Sequence, residues 1–364
     1  MAGVTVLPCL GVLLVILSRI LPIRCGEPLM PAMFILGDSL VDVGNNNYII
    51  TLAKSNFAPN GLDFPQGATG RFCNGRTTSD FLVQMMGLPF PPAYLSPNAK
   101  GPIILKGLNY ASAAGGILDS TGYNYIGRIG LNKQLEYLTK TRQDFVGLVG
   151  EGKTAEIFAK AFWYVTIGSN DYINNYLLAN SATSKQFTPK QYEGVLISTF
   201  NQQLRRLYSL GARKIFIFGV GPLGCIPSQL YNQKSPDGSC IEFINSYVRG
   251  FNQATKSLLK DLTNSLPGSI YVYGNAYDLV DGYVHRPAEY GFTVVNKGCC
   301  GLGPYNGAIP CLPTVKPCPD RAAYLFWDPF HPTDKGNGLL ANSFFSGGPE
   351  AIEPVNVRTL ASMP

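Results

Sequence analysis

Ser39 closes an apolar run, Ala32-Met33-Phe34-Ile35-Leu36, inside the tetrapeptide Gly37-Asp38-Ser39-Leu40, and Asp328-Pro329-Phe330-His331 stands near the other end of the chain. A serine hydroxyl is a weak nucleophile until a base removes its proton. An imidazole can do so when a carboxylate fixes its tautomer and balances its developing charge. The chain has only two histidines, so a base of this kind is His331 or His285. Ser39 as nucleophile, His331 as base and Asp328 as its partner is the chemistry these residue types permit. The oxyanion of such an attack needs hydrogen-bond donors, and losing one costs ~3 kcal/mol. The candidates are the Ser39 amide, the amide of Gly115 or Gly116, and the Asn170 side chain.

Neither end motif is specific alone. Gly-Asp-Ser is ordinary turn chemistry, and Ser is a common helix N-cap. The Asp of Asp-x-x-His can simply cap a turn. Their conjunction on one frame, with Gly168-Ser169-Asn170-Asp171 between them, carries the reading. Asp38 and Asp42 read as turn and helix-start residues, and Asp171 as a tie holding the loop of Asn170. Trp327 and Phe330 read as packing around the Asp328–His331 pair. His285, in Val284-His285-Arg286-Pro287, reads as a loop residue without an acidic partner nearby. Gly-x-Ser-x-Gly occurs nowhere, which argues against the fold whose nucleophile sits on that elbow.

The elements that must position these groups follow from periodicity. Met33–Leu36, Phe162–Ile167, Lys214–Phe218 and Ser269–Tyr273 are short runs, apolar on both faces, as strands of a buried parallel sheet must be. Leu196, Phe200, Leu204 and Leu207 form a helical stripe ended by Gly211. Phe243, Tyr247, Phe251, Ala254 and Leu258 form a second, stopped by Pro267-Gly268. Strands alternating with helices predict a three-layer α/β/α sandwich. Nothing marks an internal boundary, so residues 26–364 read as one domain, with loop-rich insertions near 56–80 and 296–320. All the candidate groups then fall beyond strand carboxyl ends, where such sheets carry function. A helix starting after Ser39 would add its N-terminal dipole.

Net charge is +6, but Lys and Arg are scattered; the densest spot, Arg205-Arg206 with Arg213-Lys214, fits a helix end. A nucleic-acid partner is not expected. Hydrophobic residues make up 46% and aromatics 12%, enough for a large core and against disorder. Residues 1–18 carry no charge around Val12–Leu17, as in a secretory leader removed near Cys25 or Gly26. A spanning anchor is the rival, but the stretch is shorter than ~20 residues and holds Pro8. Beyond it lie seven cysteines, four of them within 299–318, which favours disulfides with one thiol left over. Adjacent Cys299-Cys300 suits zinc poorly. No Asn-x-Ser/Thr sequon occurs.

The motifs as a set resemble those of plant-type GDSL esterases/lipases of the SGNH hydrolase family. They are Ile35-Leu36-Gly37-Asp38-Ser39 with Leu40–Asn46, Gly70–Thr77, the Gly-x-Asn-Asp of 168–171, Gly219–Cys225, and Phe326–Thr333. They occur in the family's order over nearly the whole mature chain. The resemblance implies a parallel, flavodoxin-like sheet and a secreted, monomeric carboxylic-ester hydrolase that forms an acyl-enzyme. It implies Ser39, Asp328 and His331 as catalytic residues and Asn170 as an oxyanion donor. It implies no cofactor and no metal. The substrate would be a small-molecule, lipid or cell-wall ester, with no integral membrane segment once the leader is gone. The family's Ala-Ser-Gly-Gly-Ala-Gly-Ile reads Ala-Ser-Ala-Ala-Gly-Gly-Ile here, which leaves Gly115 and Gly116 both open as donors. Leu36 in place of Phe touches packing only. An acyltransferase on the same triad, or a non-catalytic wall or carbohydrate-binding relative, are the alternatives.

Overall fold

The computed structural model describes residues 27–363, so the leader expected at 1–25 lies outside the described residues. Four buried strands, β1 (Met33–Gly37), β2 (Phe162–Thr166), β3 (Lys214–Phe218) and β4 (Ile270–Gly274), pair in parallel in that order. A two-residue strand, Ile352–Glu353, adds antiparallel to β4. The expected strands therefore hold to within one residue at each end, because burial on both faces demands continuous apolar runs.

Helices cover both faces. In-register Phe34, Trp163, Ile215 and Tyr271 share one face. There Phe34 stacks on Trp163 at 4.4 Å and meets Phe145 of α2 (Leu131–Val149) and Phe158 of α3 (Glu151–Lys160). On the same face the Tyr271 hydroxyl donates to the Leu204 carbonyl of α4 (Pro189–Ser209). On the other face Phe216 meets Phe344 at 5.2 Å, in the helix Asp334–Ser346 that follows His331. The sequence-read helix at Leu196–Leu207 is α4. The second, α5 (Glu242–Ser265), buries Ile244, Val248, Phe251, Leu258 and Leu259. Phe243 instead stands 46% exposed, so the stripe expected at Phe243, Tyr247 and Ala254 is turned about the helix axis. Aliphatic side chains fill the α4 groove, and the two aromatics pair at its rim.

Residues 108–112 run along the free edge of β1. Ile35 N–H donates to Leu108 O, and Tyr110 and Ser112 N–H donate to Ile35 and Gly37 O. Counting this irregular edge, the segment second in sequence lies outside the first strand, as in a flavodoxin-like doubly wound sheet. The chain leaves β1 to one side for this edge and later to the other for β2. Ser39 sits at that switch point.

The carboxy-terminal motif is placed differently from expectation. β6 (Tyr324–Phe326), which precedes Asp328, pairs with β5 (Val294–Gly298) in a separate two-stranded sheet. The insertion between them is closed by Cys299–Cys318 and Cys300–Cys311, and a third disulfide joins Cys225 to Cys240. Cys73 is the thiol left over, buried and unpaired.

Candidate active site

Ser39, Asp328 and His331 come together. His331 Nε2 lies 2.8 Å from Ser39 Oγ, and Nδ1 lies 2.8 Å from each Asp328 carboxylate oxygen. Asp328 Oδ1 also accepts the Phe330 and His331 amides at 2.8 Å. Capping the turn and partnering the imidazole are thus one arrangement, not rival roles. Trp327 N–H donates to His331 O, Cys300 N–H to Trp327 O, and Ser228 N–H to Pro329 O. The stapled loop thereby holds the Asp–His turn against the main sheet. Trp327 packs as expected, fully buried, with its indole N–H on Asn60.

The amino-terminal half is equally constrained. Gly37 must be glycine, since a Cβ there would lie 2.4 Å from Thr166 O. Its N–H and C=O are both engaged at 2.8 Å by the buried Gln134 amide, which stands in for a strand neighbour. No helix begins at Ser39. A turn follows, in which Asp38 Oδ1 accepts the Leu40 amide and Asp42 accepts those of Gly44 and Asn45. The dipole expected from a helix is therefore absent, and charge at Ser39 falls to discrete donors.

Two residues that carry donors, Ala114 and Asn170, line the cavity of Ser39. Asn170 lines the same cavity, with Nδ2 donating to Gly115 O at 3.0 Å and Oδ1 accepting from Asn174. Its second Nδ2 hydrogen remains. Gly115 gives its amide to Ser112 O, and neither Gly115 nor Gly116 lines the cavity. Ala114 does, held at φ 65°, and among the described residues neither its amide nor that of Ser39 has an acceptor. Asp171 binds the Ile117 and Leu118 amides and the Thr121 hydroxyl, so it ties down the 117–121 loop rather than its own.

Sequence reasoning missed the scaffold behind these groups. Asn45 Nδ2 donates to the Asn109 and Ala111 carbonyls, Asn46 Nδ2 to those of Ala53 and Ala113, and Asp42 Oδ2 accepts the Ala113 amide. The signal available was a polar run directly after the Ser39 motif in a stretch with no room for a helix. Phe72, whose ring lies 5.2 Å from that of His331, gave none. His285 also differs from expectation. It ends the helix Ala276–His285, where Asp281 one turn back lies 3.3 Å from its Nδ1, and it lines neither cavity beside Ser39.

Two cavities flank the Ser39–His331 pair, separated by Ile173 and Phe330. One, of about 630 Å³ with its mouth, is walled by Phe218, Leu223, Ile226, Val280 and Phe326. The other carries Lys54, Tyr125 and Asn174. Asp38 borders the apolar one and is buried. Burial pushes its carboxyl up to about 7, against the pull of the Leu40 amide and His331. Burial likewise raises Asp42 and Asp171 to about 6 despite the amides they accept.

Comparison with known proteins gives one family. GDSL-like Lipase/Acylhydrolase matches residues 33–344. A GDSL esterase/lipase of Arabidopsis thaliana is 47% identical over 336 residues, covering 92% of this chain and 90% of that protein. GDSL esterase/lipase 7 of the same plant is 46% identical over 347 residues, covering 93% and 94%. Among solved structures, an acetylxylan esterase from Geobacillus stearothermophilus matches at 14% identity and TM-score 0.40, over 86% of this chain and 92% of its own. That likeness is too loose to argue from.

Asp38 yields a prediction of sign. A carboxyl raised by folding from ~3.9 holds its proton more tightly in the folded chain, so it destabilises the fold increasingly as pH climbs toward its folded value of about 7. Asp38→Asn cannot ionise. Its melting temperature should gain on the parent's as pH rises from about 4 to about 7, then hold steady. A difference constant across that range would show that Asp38 does not titrate there.

Proposed function

The chain belongs to the GDSL-like lipase/acylhydrolase family of carboxylic-ester hydrolases, and we propose that it works through an acyl-enzyme formed on Ser39. The observation that carries this is the hydrogen-bonded line from Ser39 Oγ through His331 to Asp328. Ser39 Oγ bonds to the ester carbonyl carbon while its proton passes to His331 Nε2. Asp328 balances the imidazolium from the Nδ1 side. The carbonyl oxygen becomes an oxyanion, received by the Ser39 and Ala114 amides and Asn170 Nδ2. Collapse breaks the ester C–O bond, and the alcohol leaves with the proton from His331. Water then gives a proton to His331 and attacks the acyl carbon, releasing acid and restoring Ser39.

The acyl group lies in the apolar cavity and the alcohol in the one carrying Lys54 and Asn174, which match the chemistry of each half. The mature protein is a single domain from about residue 26, secreted and monomeric. Three disulfides favour an oxidising compartment, and no helix among the described residues is long and apolar enough to cross a membrane.

Ser39→Ala and His331→Ala should each cut kcat by several orders of magnitude on p-nitrophenyl butyrate with folding unchanged by circular dichroism. His285→Ala should stay near the parent rate, and a crippled His285→Ala beside an active His331→Ala would refute the mechanism. Filling the apolar cavity with Val280→Trp should shift preference from octanoyl toward acetyl esters, since each buried methylene contributes about 0.8 kcal/mol. An unaltered chain-length profile would move the acyl group elsewhere. Intact mass of secreted protein should fit a start near residue 26 and fall short of the reduced form by the six hydrogens of three disulfides. A retained leader would count against export by this route.

A further inference from the structure

The mouth of the cavity that holds Ser39 is ringed by exposed apolar side chains. On one lip Ile50 is 85% exposed, Leu52 69%, Tyr123 62% and Ile126 61%. On the other stand Leu302, Ile309 and Leu312. Half of the large apolar side chains left exposed among the described residues are in these two lips. Both lips border one opening, because Leu52 and Pro310 line the same cavity as Ser39 and His331. A monomer rarely leaves that much apolar surface together without a partner for it.

Charge narrows the partner. Residues 48–53, 121–127 and 298–315 contain no Asp, Glu, Lys or Arg, in a chain with 29 basic and 23 acidic residues. Cations appear only at the edges, as Lys54, Arg128, Lys297 and Lys316. Arg128 is already spent on the Thr121 and Asp119 carbonyls. Ionic partners find nothing to pair with on the lips themselves. Position narrows it further. A protein or second copy seated on both lips would stopper the opening, whereas a phase made of substrate would feed it. The lips are also fixed beforehand. Leu52 N–H and the Thr51 hydroxyl donate to Tyr125 O, Leu302 pairs with Ile309, and Cys300–Cys311 closes the second loop. Docking therefore needs little ordering of the surface.

We propose that this collar seats the enzyme on the surface of a condensed, uncharged ester phase, so that its substrate is drawn from a droplet or film rather than from solution. The idea rests on the ester-hydrolase reading and adds the physical state of the ester. Ile50 and Ile126 belong to the collar and line neither cavity, so Ile50→Ser/Ile126→Ser tests it without touching the site.

Binding is measured on the Ser39→Ala chain by flotation with phosphatidylcholine-coated triolein droplets, which makes it independent of Ser39 chemistry. The Ser39→Ala chain should float, and the added double substitution should weaken partition about ten-fold or more. With Ser39 intact, the double variant should hydrolyse dissolved p-nitrophenyl acetate at the parent rate and lose about ten-fold or more on tributyrin emulsion. Chains that do not float, or equal flotation with and without the substitution, would overturn the proposal. So would a dimer in light scattering that the double substitution dissolves, since a second copy would then own the collar. Inactivity of the parent on both esters, with flotation intact, would instead sink the hydrolase reading and leave the docking surface standing.

Discussion

The backbone of residues 108–118 starts beside β1, meets only a single bridge from Ala93 to Asn109 on its outer side, and is buried through residue 117. Its amides and carbonyls must be paired, because a buried unpaired peptide group costs as much as a lost hydrogen bond. Side chains do much of the pairing beyond β1: Asp42, Asn45 and Asn46 from the turn after Ser39, and Asp171 from the turn of Asn170. One requirement thus fixes three loops together. Ser39, Ala114 and Asn170, which line the cavity, each lie within three residues of a member of this network. Buried polar networks are rigid when every member is satisfied, and that rigidity suits donors that must already be aimed when charge develops.

The fold was legible wherever burial forces a simple pattern. β3 could be read to the residue because Lys214–Phe218 is flanked on both faces by core. The Asp328–His331 pair was legible because it is local, three residues apart in one turn. The contact of His331 with Ser39, 292 residues away, was not a matter of spacing and came from chemistry and family motifs. The choice between Gly115 and Gly116 as donor stayed open for a physical reason. Sequence order cannot say which residue of a turn lines a cavity, and here Ala114, at a left-handed φ, lines it where Gly115 and Gly116 do not. Asn45 and Asn46 gave no sign of burial, since most Asn are exposed, whereas here both are buried. The helix of His285 was missed because its short apolar face runs directly from β4 with no loop to announce it.

Placing a carboxyl such as Asp38 beside the nucleophile has a cost that the rest of the sheet carries. The apolar cavity needs dry walls, yet the tight turn after β1 needs an acceptor for the Leu40 amide. The same side chain meets both demands only if it tends to keep its proton, which is what its burial brings about. Dryness of the apolar cavity and the weakened acidity of Asp38 are therefore one property.

The paired cysteines at 299 and 300 have a consequence for how the chain matures. Exchanging their partners, Cys311 and Cys318, would change each closed loop by a single residue. Loop-closure entropy depends on the logarithm of length, so it barely distinguishes the two connectivities. The native choice has to be imposed by structure already present: the β5–β6 pairing and the Cys299 and Cys300 amides bound to Phe326 and Trp327. Without that pairing, the native and swapped connectivities would have nearly equal tether entropy. The right disulfides at Cys299 and Cys300 thus depend on the same backbone pairing that positions the segment carrying the imidazole.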